Sequence, residues 1–456
     1  MTGAAGMQAG IGELGRLLRA RQVTARELAA IALDRLGSTG RDLNAVVALT
    51  PELAFAEADR ADRELAAGID RGPLHGIPYG AKDLLAVAGY PTSWGAAPFA
   101  TQQFDTDATA VIRLREAGAV LVAKLAMVEL AGGFDYKQPD AALTGPGRNG
   151  RDRERWAGGS SSGSGAAVAA GCVPFALGSE TWGSITNPAA LNGVAGFRPT
   201  YGMVSRAGAM ALSWTLDKIG PLALSAPDCE TVLAALAGPD PADPTTLLAP
   251  AVTPETAPRR FRFARCRRLS DGADPLIAAN FERSLDALRE IGSVEDIEIP
   301  DLPYRDAAGV IIDAEGAAAF EEFILDGRQL ELAAPENRYG LLDGLVTPAI
   351  DYLRALRIRR VAARRLDLAL AGFDAIVAPV EPRVAPPIDA RFPDYYAGSP
   401  EDDLGAAGNL CGLPGLSLPN GVAEHGLPSA LLLMGRAGGD AAVLAAGRAF
   451  ERAGAG

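Results

Sequence analysis

Two serine-bearing segments raise the question of chemistry. "LGSETWGSITNPAALNG" carries Ser184 among glycines, and 24 residues upstream "AGGSSSGSGAAVAAG" carries a second cluster that begins at Ser160. A serine hydroxyl becomes a good nucleophile only when a neighbouring base takes its proton. The chain holds just two histidines, His75 in "GPLHGIP" and His425 in "AEHGLP", both in loop-like contexts. That argues against a Ser-His-Asp arrangement and against a metal site built on several histidines. Lys82 is the substitute the sequence offers. It ends the apolar run "GIPYGA", which puts it at a strand end with much of its stem buried. Burial favours the neutral amine and lowers a lysine's pKa, by up to about 3–5 units when complete. The competing reading of Lys82 is a lysine that snorkels to water.

The two clusters also have plainer readings. A Gly/Ser run is most often a flexible linker. "GGSSSGSG", however, leads straight into the helix-forming "AAVAAG" ended by Gly171, as a loop feeding a helix N-terminus does. A phosphate-binding loop needs a lysine after its second glycine, and this segment has none. Ser184 follows the apolar run "VPFALG" and precedes "TNPAALNG", which reads as a helix with Asn187 as N-cap and Pro188 at its first position. Ser184 thus falls on a strand-to-helix loop whose backbone N–H groups can face an anion, as an oxyanion hole requires. Alone, it would read as a turn serine.

The elements that must position these residues follow from periodicity. Residues 10–70 read as an N-terminal helical layer, with Thr24 and Glu27 forming a capping box before "ARELAAIALDRL". From 71 to 235 short apolar runs alternate with helices, as in "DATAVIRLREAGAVLVAKLA", where a helix closes at Gly118 and a strand follows. This is an α/β pattern. Residues 236–364 are the least regular, Pro-rich at first and then helical in "EGAAAFEEFILDG", and read as a peripheral helical region on the substrate side. Residues 365–456 return to the sheet through "FDAIVAPVEP", "NLCGLPGLSLPNG" and "SALLLMG" before a last helix. No repeat or linker divides the chain, so 1–456 is expected to form one compact domain.

These segments resemble the amidase signature family of serine hydrolases. The resemblance rests on "GIPYGAKDLL", "GGSSSGSGAAVAAG", "LGSETWGSITNPAALNGVAGFRPTYGMVSRAGAMALSWTLDKIGPLA" and "GLPGLSLPNG", and covers roughly 10–235 and 365–453. It implies an α/β fold with a large central mixed β-sheet flanked by helices on both faces. It also implies a Ser-cisSer-Lys triad of Ser184 as nucleophile, Ser160 as bridge after a cis Gly159–Ser160 peptide, and Lys82 as base. The N–H groups of Thr181, Trp182, Gly183 and Ser184 would form the oxyanion hole, and no cofactor or metal would be needed. Ser179 matches a supporting hydroxyl, or is a plain loop serine. "ELAGGFDY" matches a loop lining the acyl side, so Ala131, Gly132 and Gly133 are expected to contact substrate, unless the glycines serve close packing. The family usually has a small residue at Trp182 and often arginine at Thr186. Trp182 either borders the substrate or braces the loop.

The family divides into free-standing amidases, some cleaving esters, anilides and carbamates (urethanes), and the glutaminase subunit of a tRNA-dependent amidotransferase. Polar glutamine-recognition residues are not evident in 236–364, whereas "EEFILDG" and "NRYGLLDGLVTPAIDYL" offer apolar and aromatic surface. The expectation is a free-standing enzyme for hydrophobic or aryl amides; a non-catalytic binding or assembly protein on the same fold is the reading of another class. The presence of Lys82, Ser160 and Ser184 together argues against the latter.

Bulk properties narrow the partners. A formal charge of -13 with dispersed basic residues excludes a nucleic-acid backbone as the first expectation. No apolar window approaches the roughly 20 residues of a membrane span. Cys172, Cys229, Cys266 and Cys411 are far apart with no CxxC pair, and no signal-like start is evident, which fits a reducing cytoplasm. The expected partner is a small amide or carbamate; homodimerisation stays open.

Overall fold

The computed structural model describes residues 7–133, 136–246, 259–269, 271–400 and 403–454. The start of the chain, part of the Pro-rich stretch after 236, and Phe134 and Asp135 of "ELAGGFDY" lie outside them. Eleven strands form one mixed sheet: β1 (Val46–Leu49), β2 (Pro78–Lys82), β3 (Val120–Leu125), β4 (Phe175–Glu180), β5 (Ala195–Arg198), β6 (Lys218–Ala223), β7 (Phe261–Arg265), β8 (Gly292–Asp296), β9 (Ala375–Pro379), β10 (Gly415–Val422) and β11 (Pro428–Met434). Their order is β1-β3-β2-β4-β6-β5-β10-β11-β9-β7-β8. Strands β3, β2 and β4 run parallel, while β6, β5, β10 and β11 are joined antiparallel.

Every residue of β2 to β6 is buried, so successive side chains on opposite faces are both covered. Helices therefore lie on both faces of the central sheet. The N-terminal layer is present: helix Ala25–Arg35 starts at the Thr24/Glu27 capping box, and helices Ala25–Arg35 and Pro51–Ala66 pack on β3. "GGSSSGSG" is not a linker. Its second half is the first turn of the fully buried helix Ser162–Ala169, where a Cβ at Gly163 would lie 2.5 Å from the carbonyl oxygen of Ala45 and 2.6 Å from the amide of Ala126. Only glycine permits that approach.

Residues 236–364 correct the expectation of a purely helical periphery. They supply β7 and β8, which extend the sheet beyond β9. "FRFAR" does alternate, but β8 is "GSVED", an edge strand with the half-buried Val294 as its one large apolar residue and exposed positions on either side, so hydrophobic patterning gives it little signal. The helices of the region are Pro275–Ile291, Tyr304–Ala319, Glu321–Leu325, Asn337–Leu345 and the start of Ala349–Ala369.

Register sets up the site. β2 pairs in parallel with β4 so that Ala81 faces Leu177, which brings the end of β2 alongside residues 178–179. β4 pairs antiparallel with β6 so that Glu180 faces Lys218. The cross-strand pair Tyr79–Phe175 locks the first of these registers, with rings stacked at 5.2 Å and 5° between planes. Truncating the fully buried Phe175 in Phe175→Ala is expected to lower unfolding stability by about 3–5 kcal/mol, read as a reduced urea midpoint.

Candidate active site

Lys82 is the last residue of β2 and is wholly buried. Its Nζ lies 2.7 Å from Ser160 Oγ, 2.9 Å from Ser179 Oγ and 3.4 Å from Ser179 O. These partners are uncharged. Burial drives the amine's pKa down from 10.5 to about 7, against the more distant pull of Asp217 and Glu180. Half of the Lys82 side chains are then neutral near pH 7, the form that can accept a proton.

Ser160 follows a cis peptide from Gly159, as the family resemblance implies. The segment is held from both sides: Gly159 N donates to Asn187 Oδ1 at 2.9 Å, and Val128 N donates to Ser160 O at 3.1 Å. Ser161 fixes its distance from the segment that carries Ser184. Both the amide and the hydroxyl of Ser161 donate to Ser184 O, at 3.3 and 2.5 Å, while Ser179 N donates to Ser161 Oγ at 3.3 Å. The structure thus gathers Lys82, Ser160 and Ser179 by direct contact, and brings Ser184 to them through its backbone.

The turn after β4 is organised by Glu180. Helix Thr186–Asn192 has Ile185, not Asn187, at its N-cap position, and Pro188 sits in its interior first turn. The cap comes from outside the helix: Glu180 Oε2 accepts from Ile185 N at 2.9 Å, Thr186 N at 3.0 Å and Thr186 Oγ1 at 3.2 Å. Asn187 is freed to bind Gly159 and, through Nδ2, Glu381 at 2.7 Å. The cap expected at Asn187 is instead supplied by a carboxylate seven residues before it, five before the N-cap position Ile185. Glu180 Oε1 also accepts from Arg198 at 2.7 Å and Asn409 at 3.0 Å. Burial alone would raise this carboxyl, but the Arg198 and Lys218 cations outweigh it and hold Glu180 at about 2.

Residues 181–184 lie between these anchors. Thr181 Oγ1 donates to Asp217 Oδ1 at 2.6 Å, and Lys218 Nζ sits 3.4 Å from Thr181 O and 2.8 Å from Asn409 Oδ1. Gly183 has φ +79°, and a Cβ there would meet no heavy atom within 4 Å, so the turn has an open side.

A cleft of about 210 Å³ adjoins this turn, lined among others by Ala131, Ser179, Thr181, Met210, Trp214 and Asp217. Of the expected acyl-side residues, Ala131 reaches it. A Cβ at Gly132 would meet Tyr136, and one at Gly133 would meet the cleft residue Leu212, so neither position has room for a side chain. Trp182 is absent from the lining of this cleft and packs half-buried against the core. The aromatic residue in the lining is Trp214, which sequence reading did not single out.

One signal could have found more of the site. The chain has 43 basic residues, yet only four are lysines: Lys82, Lys124, Lys137 and Lys218. Three of the four are buried. Lys124 pairs with Asp83 at 2.8 Å, and Asp83 itself accepts from Ser93 N at 2.8 Å, which anchors the chain directly after Lys82.

This fold and site define an amide-cleaving hydrolase, and comparison with known proteins makes the assignment specific. The family described as Amidase matches residues 27–444. The chain belongs to this amidase signature family. It is 36% identical to the A subunit of glutamyl-tRNA(Gln) amidotransferase from Anaeromyxobacter dehalogenans (strain 2CP-C), over 97% of this chain and 96% of that protein. Among solved structures it is similar to the native peptide amidase of Stenotrophomonas maltophilia, with a TM-score of 0.84 and 32% identity over 97% of this chain and 96% of that one. It is also similar to a chain from a complex described as vestigial and as revealing the origins of an s-triazine catabolic enzyme, with a TM-score of 0.89 and 32% identity over 98% of this chain and 99% of that one. No helix among the described residues is long and apolar enough to cross a membrane.

Because the chain has so few lysines, the proton on Lys82 can be followed directly. In protein labelled with ¹⁵N-lysine, the Lys82 Nζ resonance, assigned by its absence in Lys82→Met, is expected to titrate near pH 7. A midpoint above pH 10 would mean that burial does not control this amine.

Proposed function

We propose that the chain is a serine amidohydrolase that cleaves C–N bonds through an acyl-enzyme on Ser184. The observation that carries this reading is the 2.7 Å contact between Ser160 Oγ and a buried Lys82 amine whose pKa lies at about 7. Neutral Lys82 draws the proton of Ser160 as Ser160 takes that of Ser184, and the Ser184 oxygen attacks the scissile carbonyl. Backbone N–H groups of Thr181 to Ser184 receive the developing oxyanion, a contribution for which a single donor is worth about 10²–10³ in rate. The proton returns along the same path to the leaving nitrogen, and water then releases the acyl group with Lys82 again as base. Ser179 supports the relay as a second hydroxyl partner of Nζ, at 2.9 Å.

Two substrate classes follow from different observations. The similarity to the amidotransferase's A subunit spans nearly the whole chain and favours the side-chain amide of glutamine over the hydrophobic or aryl amides expected from the sequence. That reading carries partner subunits with it. The cleft favours the second class. Its charged residues are engaged internally, Arg206 with Asp243 and Thr245, Asp217 with Thr181 and Ser213, Lys218 with Asn409, while Leu84, Met210, Leu212 and Ile219 form apolar walls. Esters and aryl carbamates (urethanes) are extensions of this second class, since the same acyl-enzyme serves them.

The test is a panel of glutamine, an aliphatic primary amide, an anilide and an aryl carbamate. Ser184→Ala is expected to reduce kcat by at least about 10³-fold on whichever substrates the wild type cleaves. Retained turnover in that variant would overturn the mechanism, and exclusive cleavage of glutamine would select the amidotransferase reading. Because Lys82 must be neutral, kcat/KM is expected to fall about tenfold per pH unit below about 7 and to level off above it. A profile flat from pH 5 to 9 would remove Lys82 as the base.

A further inference from the structure

Trp214 is the one aromatic residue in the cleft lining among the described residues, and it keeps 47% of its surface exposed. Indoles are ordinarily well buried. Exposure here does not reflect a loose loop, because the surrounding backbone is fixed by two carboxylates. Glu315, itself buried, accepts from Ser213 Oγ at 2.5 Å, Thr215 N at 3.0 Å and Thr215 Oγ1 at 2.9 Å, and is braced by Tyr352 OH at 2.8 Å. Asp217 accepts from Leu212 N at 2.9 Å and Ser213 N at 3.0 Å. Tyr201 OH donates to Trp214 O at 2.8 Å, joined there by Arg206, and Arg359 donates to Thr215 O at 2.8 Å.

Asp217 does a second thing. Its other oxygen accepts from Thr181 Oγ1, the first residue of the turn that carries Ser184. One carboxylate therefore ties the indole-bearing loop to the turn carrying the nucleophile and sets the spacing between them.

We propose that Trp214 is a specificity residue, a fixed stacking face for a planar apolar group carried by the substrate beyond its scissile bond. The substrate class it selects is the aryl amide. This rests on the amide-hydrolysis reading above and deepens it by choosing between its two classes. A ring laid on the indole gains offset-stacking attraction beyond the area it buries, and the pinned loop loses little freedom when it binds.

Ammonia release from benzamide and from acetamide measures the effect with one detection method. In Trp214→Ala the benzamide-to-acetamide ratio of kcat/KM is expected to fall about tenfold, mainly through the KM for benzamide, and Trp214→Phe is expected to restore most of it. A ratio unchanged in Trp214→Ala overturns the proposal, as does an equal loss on both amides that Trp214→Phe does not repair. Should the wild type hydrolyse neither amide, benzamide is titrated into Ser184→Ala protein while indole fluorescence is followed. A saturable change that disappears on adding Trp214→Ala upholds the stacking face without any turnover, and its absence or persistence rejects it.

Discussion

Keeping the Lys82 amine out of water is the constraint on which the site depends. A pKa moved from 10.5 to about 7 means that the ammonium form costs about 5 kcal/mol more here than in solution. Such a cost is sustained only by a rigid, fully covered strand, and β2 lies between β3 and β4 with every residue buried. Lys124, on the neighbouring strand, is the internal contrast. It too is buried, and burial lowers its pKa, but Asp83 sits 2.8 Å away and opposes that shift with a full negative charge. Two adjacent strands thus carry two buried lysines, one given a carboxylate and the other only uncharged oxygens, two hydroxyls and a carbonyl. The difference separates a structural ion pair from a group able to accept a proton.

The surrounding polar network follows an economy of shared anchors. Glu180 caps the helix after the Ser184 turn and also receives Arg198 and Asn409, which are distant from it in sequence. Asp217 holds Thr181 and the 212–213 backbone at once. Because each carboxylate joins two segments, the loops around the cleft are positioned relative to one another and not merely to the sheet. Chains as differently named as a peptide amidase and one component of an amidotransferase are similar to this fold, so the fold alone does not choose the substrate.

How much of this was legible depended on whether the signal was local. The α/β alternation and the Thr24/Glu27 cap could be read because each rests on a contiguous pattern, whereas the gathering of Lys82 with Ser160 and Ser179, residues up to 97 positions apart, was implied only by the family resemblance of their separate segments. Strand β8 could not, since an exposed edge strand has little apolar face to display. Asn187 was misread for a related reason: its side chain suits an N-cap, but the carboxylate that serves as cap arrives through the fold. The roles of Ser161, Asp217 and Lys218 likewise appear only when strand register places them together. Trp182 attracted notice by its place in the motif, whereas Trp214, thirty-two residues on, is the indole that reaches the cleft.

The scarcity of lysine has a consequence for the protein's exterior. Its surface cations are almost entirely arginines, whose guanidinium stays protonated and is a poor nucleophile at neutral pH. Of the four lysines, only Lys137 among the described residues retains access to solvent. The outside of the fold is thereby clad in side chains that acylating agents modify poorly. For the same reason amine-directed reagents, whether acetyl donors, cross-linkers or activated dyes, find one lysine address on this fold instead of the dozens its count of basic residues would suggest.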